Sequence, residues 1–152
     1  MSLTQRRAAS VVRRVWRQER GEIAQVAAKV ALAAEGVGSL STALGGGAAR
    51  GLLEMLQHNV LPYLDWEEAI VHPVIDRLTG TPQATRLLAP PLEHVREMIT
   101  LVQADWEGLP RTPTRRQFVI VRAHLRRLGA VLRAYMDQQE RVLGPVFAAV
   151  GT

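Results

Sequence analysis

The chain has 152 residues, enough to bury a sizeable core, and the simplest arrangement is a single domain over residues 1–152. It contains no cysteine, which excludes disulfides, thiolate metal sites and thiol nucleophiles, and we expect a cytoplasmic protein. The net charge of +5 is carried almost wholly by arginine, and no apolar run is long enough to span a bilayer, so we expect no membrane partner.

A first amphipathic helix is predicted from about residue 4 to residue 35, because apolar residues recur there at intervals of three and four. Its arginines lie mostly off the apolar stripe, as on a solvated face. Glu19 falls on the stripe, four residues after Val15 and four before Ile23, and Arg20 lies at its border. Residues 36–47 include five glycines and predict a flexible connection.

A second helix is predicted from about residue 48 to residue 78, and a turn at residues 79–82 follows it. Pro62 removes one backbone donor, so we expect a kink just before Tyr63. The predicted inner stripe consists of Leu52, Leu53, Leu56, Val60, Tyr63, Glu67, Ile70 and Val74.

A third helix is predicted next, with Pro90 and Pro91 dividing a short lead-in from its main part and residues 108–110 ending it. Residues 112–114 supply a cap and a first-turn proline for a fourth helix that runs to about residue 149. Inner residues of the fourth helix are Val121, His124, Leu125, Leu128, Val131, Leu132, Tyr135, Gln139, Val142 and Val146. Since no segment alternates at period two, the pattern predicts an all-α, antiparallel up-down four-helix bundle.

The chain repeats itself, since residues 63–75 recur as residues 135–147. The repeat pairs Tyr63 with Tyr135, which are the only two tyrosines, and Glu67 with Gln139. Residues four apart share a helix face, so each helix presents one phenol and one carboxylate or amide to a common interior. The repeat predicts that helices one and two are related to helices three and four by pseudo-twofold symmetry.

Three stretches resemble the hemerythrin-like family, the HHE cation-binding helical bundles: residues 61–73, the pair Glu93-His94, and residues 135–145. Members of that family carry a histidine followed four residues later by a glutamate, then a second acid and a proline, on the second and fourth helices. The resemblance implies a four-helix bundle with a metal centre in its core.

Most of the metal ligands that the resemblance implies are substituted in this chain. Glu67 and His94 stand where the family has ligands. On the first helix the family's acid and histidine align with Glu19 and Arg20. The substituted positions are therefore Arg20 on the first helix, Tyr63 on the second, Met98 on the third, and Tyr135 and Gln139 on the fourth.

These substitutions favour a core without metal. A di-iron site needs several imidazoles and bridging carboxylates, which one imidazole and one carboxylate do not supply. We therefore expect no cofactor, with Arg20 forked onto Glu67 and the tyrosines satisfying the remaining acceptors. The alternative cofactor is iron, bound by Glu67 and His94 with help from Glu19 and the two phenols.

The other histidines are expected to have structural roles. His124 lies on the inner face of the fourth helix, about 16 Å from Tyr135, and is expected to be a hydrogen-bonded core histidine. His58 and His72 are expected at the surface or in a turn. Asp65 and Asp137 are expected to cap the backbone or to pair with arginines of a neighbouring helix.

Three function classes follow from the sequence. The first is a non-catalytic binding or regulatory protein with a degenerate di-iron site, whose core holds a small ligand. The second is an iron-binding protein with an altered site, in iron, oxygen or nitric oxide sensing as the resemblance implies. The third is an enzyme that uses Tyr63, Tyr135, Glu67 and His94 as acid–base groups. A protein partner and a homo-oligomer are left open, and nucleic acid is not expected because the arginines look interspersed along the helices.

Overall fold

The computed structural model describes residues 2–36 and 50–150, and nearly all of these residues lie in four helices. The helices are α1, Leu3–Gly36; α2, residues 50–79; α3, Gln83–Glu107; and α4, Arg115–Val150. No strand occurs in the described ranges, so the all-α prediction is confirmed there. The predicted connection at residues 36–47 and the predicted helix start at residue 48 lie outside the described residues, apart from Gly36 at the end of α1. None of the described helices has a stretch both long and apolar enough to cross a membrane.

The junction between α2 and α3 is closed by one aspartate. Gly80 ends α2 in the left-handed conformation, with φ of 74°, which a glycine adopts without steric penalty. The Asp76 carboxylate accepts hydrogen bonds from the backbone N–H of Ala84 at 2.9 Å and of Thr85 at 3.3 Å. These donors belong to the first turn of α3, so Asp76 caps that helix from the end of α2.

Two π-helical turns, Leu56–Val60 and Glu67–Val71, interrupt the α-helical geometry of α2. Each is followed by a proline two residues later, Pro62 and Pro73. Proline lacks the N–H that an α-helix needs, and its ring crowds the preceding turn. A wider turn relieves that crowding, so α2 continues past both prolines. The kink predicted at Pro62 is therefore a π turn, and a second one precedes Pro73.

The second π turn changes which residues of α2 face the core. The N–H of His72 donates to the carbonyl of Glu67, five residues earlier, so these two residues share a side of the helix. His72 and Val71 are buried. Ile70, predicted on the inner stripe, is 44% exposed, and Val74 is only partly buried. The inner stripe predicted from a regular α-helical period is therefore wrong at Ile70.

Buried apolar side chains from all four helices form one cluster. Between α1 and α4, the ring of Trp16 lies 5.2 Å from that of Phe147, and near the other end of α1 Glu35 pairs with Arg126 at 3.2 Å. Residues later in α1 thus contact residues earlier in α4. Burial of this apolar surface is the main source of stability for the helices.

One arginine links α2 to α3 at the surface. Arg96 of α3 pairs with Asp65 at 2.6 Å and with Glu68 at 3.2 Å, and also with Glu93 of its own helix at 3.2 Å. The pairing predicted for Asp65 is therefore confirmed, whereas Asp137, its counterpart in the repeat, is exposed. The acidic residues of the network are solvent-exposed, so each pair contributes little to stability.

The two adjacent prolines of α3 do not divide it. Gln83–Glu107 is one continuous helix with Pro90 and Pro91 inside it, so the predicted lead-in segment is wrong. Leu88 and Leu92, on either side of the prolines, are fully buried in the same apolar cluster. Packing of both residues offsets the missing backbone hydrogen bonds and keeps the two halves in line.

Candidate functional site

The buried polar side chains of the bundle converge at one place. Within the described residues, three polar or charged residues are buried: Glu67 and Gln139 are 0% exposed and His72 is 1% exposed. Tyr63 and Tyr135 are also buried, and they join the same group. We call these five residues the buried polar cluster. Buried polar groups are destabilising unless they find partners, so their concentration in one place marks it as the candidate site.

Side chains of α4 satisfy both oxygens of the Glu67 carboxylate. The Tyr135 hydroxyl donates to Oε2 of Glu67 at 2.5 Å, and the Gln139 amide donates to Oε1. The same amide nitrogen lies 3.3 Å from the hydroxyl oxygen of Tyr63, to which it donates. The residues at the two pairs of repeat positions therefore meet in the core, as the sequence predicts for a common interior.

His72 belongs to this cluster, although the sequence places it at the surface or in a turn. Its Nε2 lies 3.6 Å from Oε2 of Glu67, and the side chain is almost fully buried. The π turn Glu67–Val71 brings His72 onto the side of Glu67, which a regular α-helix does not do at a spacing of five. Pro73 marks the place in the sequence but does not suffice as a signal, because Pro90, Pro91 and Pro145 lie inside α-helices with no π turn before them. His58, by contrast, is exposed, as predicted.

Three atoms of the cluster retain unused hydrogen-bonding capacity. Both ring nitrogens of His72 and the amide oxygen of Gln139 are buried without a hydrogen-bond partner. Such orphaned atoms are uncommon in folded proteins, and buried water is one usual partner for them. Within the cluster, the Glu67 carboxylate oxygens therefore have hydrogen-bond donors, whereas the ring nitrogens of His72 and the amide oxygen of Gln139 have no partner.

Burial holds both tyrosines of the cluster in the neutral form. It raises the pKa of Tyr63 and of Tyr135 far above the usual value, and the charge of the neighbouring Glu67 raises both further. A neutral phenol donates a hydrogen bond well but is a poor metal ligand and a poor proton donor to a reacting group at neutral pH. The two tyrosines are thus suited to holding Glu67 in place.

The raised pKa values predict how stability depends on alkaline pH. Because the folded-state pKa lies above the unfolded value of about 10, the tyrosines' contribution is fully present below pH 10 and is lost as pH rises above it. The chain has only two tyrosines, so phenolate absorbance reports on this cluster alone. We expect phenolate to form only together with loss of the helical circular dichroism signal. Titration near pH 10 with the helices intact would contradict this prediction.

Arg20 does not fork onto Glu67, so that part of the predicted core is not formed. Its Nη2 donates to the backbone carbonyl of Met136 at 2.8 Å, and its Nη1 pairs with Glu140 at 3.3 Å. Its guanidinium lies 5.5 Å from the ring centre of Trp16, in a cation–π contact. Arg20 therefore joins α1 to the outer side of α4, as its position at the border of the apolar stripe allows.

The remaining predicted site residues lie apart from the hydrogen bonds of the cluster. Glu19 and His94 are half-buried, and neither makes a hydrogen bond or ion pair within the described residues. Met98 is buried among apolar side chains. The Nδ1 of His124 contacts the Asp105 carboxylate, as expected for a hydrogen-bonded histidine, but the residue is only half-buried and is not in the core.

The donors of the cluster do not fit a di-iron centre. The cluster offers one carboxylate, one imidazole, one amide and two neutral phenols, whereas such a centre needs several imidazoles and bridging carboxylates. Across residues 2–36 and 50–150, no three histidine, aspartate or glutamate side chains are grouped so as to hold a metal ion. Comparison of the chain with protein-family models, with curated proteins and with solved structures gives no match.

Proposed function

We propose that the chain is a hemerythrin-like, antiparallel up-down four-helix bundle in which a hydrogen-bonded core replaces the metal centre. In this proposal the protein is a non-catalytic binding or regulatory protein that works without iron. Contact positions that rise along α1 and fall along α4 support the up-down arrangement. The meeting of Tyr63, Glu67, Tyr135 and Gln139 in one cluster supports the pseudo-twofold relation between helix pairs.

The main support for this proposal is the hydrogen bonding of the Glu67 carboxylate. Each of its oxygens already accepts a hydrogen bond from α4, from Tyr135 and from Gln139. These neutral donors hold the carboxylate in one orientation and use part of its acceptor capacity without a metal ion. Donors on α4 at both repeat positions thus satisfy the Glu67 carboxylate without a metal ion.

A binding role is supported by the unpartnered atoms on the other side of the cluster. The nitrogens of His72 and the amide oxygen of Gln139 offer both donor and acceptor capacity in a buried setting. A small polar molecule with one donor and one acceptor group matches that capacity. Occupancy would stabilise the fold by a free energy that rises with the logarithm of ligand concentration.

Iron binding at an altered site is the second candidate, and one observation favours it. His72 brings an imidazole to 3.6 Å from the Glu67 carboxylate, so the cluster contains one His–Glu pair that the sequence does not predict. Imidazole and carboxylate are both iron ligands. Burial raises the pKa of Tyr63 and of Tyr135 in the metal-free protein, so an iron ion would have to displace the phenol proton before either side chain could bind it as phenolate.

Metal analysis separates the two candidates. Untagged protein expressed with added iron is examined by elemental analysis, by its visible spectrum and by native mass spectrometry. We expect folded protein without stoichiometric iron and without an iron–phenolate band. Native mass spectrometry of the same sample then shows whether a small molecule is retained.

Neighbouring carboxylates provide the matched control for this experiment. Glu67→Gln removes the buried carboxylate, whereas Glu68→Gln changes an exposed residue of the same turn. We expect neither variant to change metal content. Stoichiometric iron in the unmodified chain, lost in Glu67→Gln and kept in Glu68→Gln, would overturn the metal-free proposal in favour of the altered iron site.

A further inference from the structure

Charge is distributed unequally among the four helices. α1 has seven basic and three acidic residues, and α4 has seven basic and two acidic residues. α2 and α3 together have four basic and nine acidic residues. Since α1 and α4 pack against one another, the excess positive charge lies on one side of the bundle. The arginines that look interspersed along the sequence are thus gathered in space.

The contacts of one arginine on α1 and one on α4 show which side of each helix faces the other helix. Arg20 of α1 reaches the Met136 carbonyl and Glu140 on α4, and Arg126 of α4 reaches Glu35 on α1. Residues three, four or seven positions away on a helix lie on the same side. By that rule, arginines of both helices flank the seam between them. We call this seam the basic groove. It is lined by Arg6, Arg13, Arg17, Arg122, Arg126 and Arg133, and the fewer acidic residues on the same side are Glu35, Asp137 and Glu140.

The groove arginines remain available, whereas many carboxylates on the opposite side are already used. Asp65, Glu68 and Glu93 all pair with Arg96, Asp76 caps α3, and Asp105 contacts His124. Within the described residues, the only groove arginine in an ion pair is Arg126. A second copy of the chain would therefore offer few free carboxylates to the groove, and a denser source of negative charge fits it better.

The chemistry of the groove favours a phosphate backbone. The guanidinium group of arginine can donate two parallel hydrogen bonds to two oxygens of one phosphate. α4 spans 36 residues, or about 54 Å at 1.5 Å per residue, and this length suits a polymer with phosphates at regular intervals. Trp16 and Phe147 are buried between α1 and α4, and Phe118, four residues before Arg122, is half-buried, so the seam offers bases little aromatic surface for stacking. The exposed large apolar residues of α1 and α4 are Leu3, Val11, Leu32, Val119 and Ile120. They do not recur at intervals of three or four, so they form no strip that would enter a lipid surface.

We propose that the basic groove between α1 and α4 binds double-stranded nucleic acid through its phosphate backbone, without reading the base sequence. Contacts to phosphate fix a protein on the duplex but carry no sequence information, so affinity depends on salt and not on sequence. This site is separate from the buried polar cluster, and neither proposal depends on the other.

Fluorescence anisotropy with a labelled DNA duplex of random sequence tests the proposal. A duplex of about 20 base pairs exceeds the groove length at 3.4 Å per base pair. The groove variant is Arg17→Glu/Arg133→Glu, and the control Arg50→Glu/Arg86→Glu makes the same change in net charge on exposed residues of α2 and α3. We expect the groove variant to lower affinity at least about tenfold and to flatten the salt dependence, and the control to lower it less than about threefold.

Several outcomes would overturn this assignment. These are no binding of the duplex at low salt, equal loss in both double variants, tighter binding of a single strand of the same length, or binding of phosphatidylserine vesicles without binding of the duplex. Arg17→Gln/Arg133→Gln, checked for helical content by circular dichroism, repeats the test without introducing new negative charge. The expected result for this neutral variant is a smaller loss of affinity in the same direction.

Discussion

Replacing Glu67 with alanine is expected to lower the free energy of unfolding by about 3–5 kcal/mol. The Tyr135 hydroxyl and the Gln139 amide both donate to this carboxylate, and His72 lies 3.6 Å from it. Alanine would leave these groups buried without their acceptor, and it would also open a cavity beside them. Urea unfolding followed by far-ultraviolet circular dichroism measures the change.

The adjacent residue Glu68 is the matched control for this prediction. Glu68→Ala removes an exposed carboxylate and its ion pair with Arg96, so we expect a loss below about 1 kcal/mol. Glu67→Gln keeps one acceptor oxygen and the side-chain shape, and we expect its loss to lie between those of the two alanine variants. If Glu67→Ala destabilised the protein no more than Glu68→Ala, the cluster would not be the organising feature of the core that we describe.

Trp16→Ala is the second large effect, with an expected loss of about 3–5 kcal/mol. Trp16 is 1% exposed, its ring lies 5.2 Å from that of Phe147, and Arg20 lies over its face. Truncation removes these contacts together and leaves a cavity between α1 and α4, because the surrounding helices close only part of the space. Circular dichroism is the appropriate signal, since the substitution changes the tryptophan fluorescence itself.

Two further substitutions isolate the cause of that loss. Trp16→Phe also deletes the indole N–H, which is buried without an acceptor, so part of the lost packing is offset. We expect Trp16→Phe to be clearly less destabilising than Trp16→Ala. Trp106→Ala at a half-exposed position is expected to lower stability by less than about 2 kcal/mol. Equal losses for Trp16→Ala and Trp106→Ala would show that the α1–α4 contact has no special weight.

The sequence predicts correctly that residues at matching positions of the repeat lie close together in the core. Tyr63, Glu67, Tyr135 and Gln139 are equivalent in pairs, and the pairs meet in the core. A four-residue spacing on two helices is local information, and it holds wherever both helices are regular between the paired residues. That is the case for residues 63 to 67 and 135 to 139, so the prediction needed no knowledge of tertiary structure.

The positions that the sequence places wrongly follow an irregular turn. Ile70 was expected inside and is exposed, while His72 was expected outside and is buried. Both errors come from applying 3.6 residues per turn across Glu67–Val71, where the turn is wider. A periodicity argument assumes constant geometry, and a proline only hints at where that assumption fails.

Partners of long side chains were the least predictable part of the site. Arg20 was expected to reach Glu67, yet its guanidinium lies at the Met136 carbonyl and Glu140. Spacing along one helix fixes the side from which such a chain starts, but the packing of the neighbouring helix decides where it ends. The same limit explains why arginines on α1 and α4 looked interspersed, since only the pairing of those helices brings them to one groove.

The π turn Glu67–Val71 also determines how the core responds to a change in chain length. It contains one residue more than an α-helical turn, so loss of one residue within it would leave a regular turn with Glu67 and His72 still on the same side. In a regular part of the same helix, deletion of one residue rotates everything after it by about 100° and turns the following core residues outward. Deletion of one residue within the π turn has a cost, because it would return Pro73 to a crowded position against the preceding turn. The extra residue therefore allows this part of α2 to lose one residue while the residues after it keep their core register.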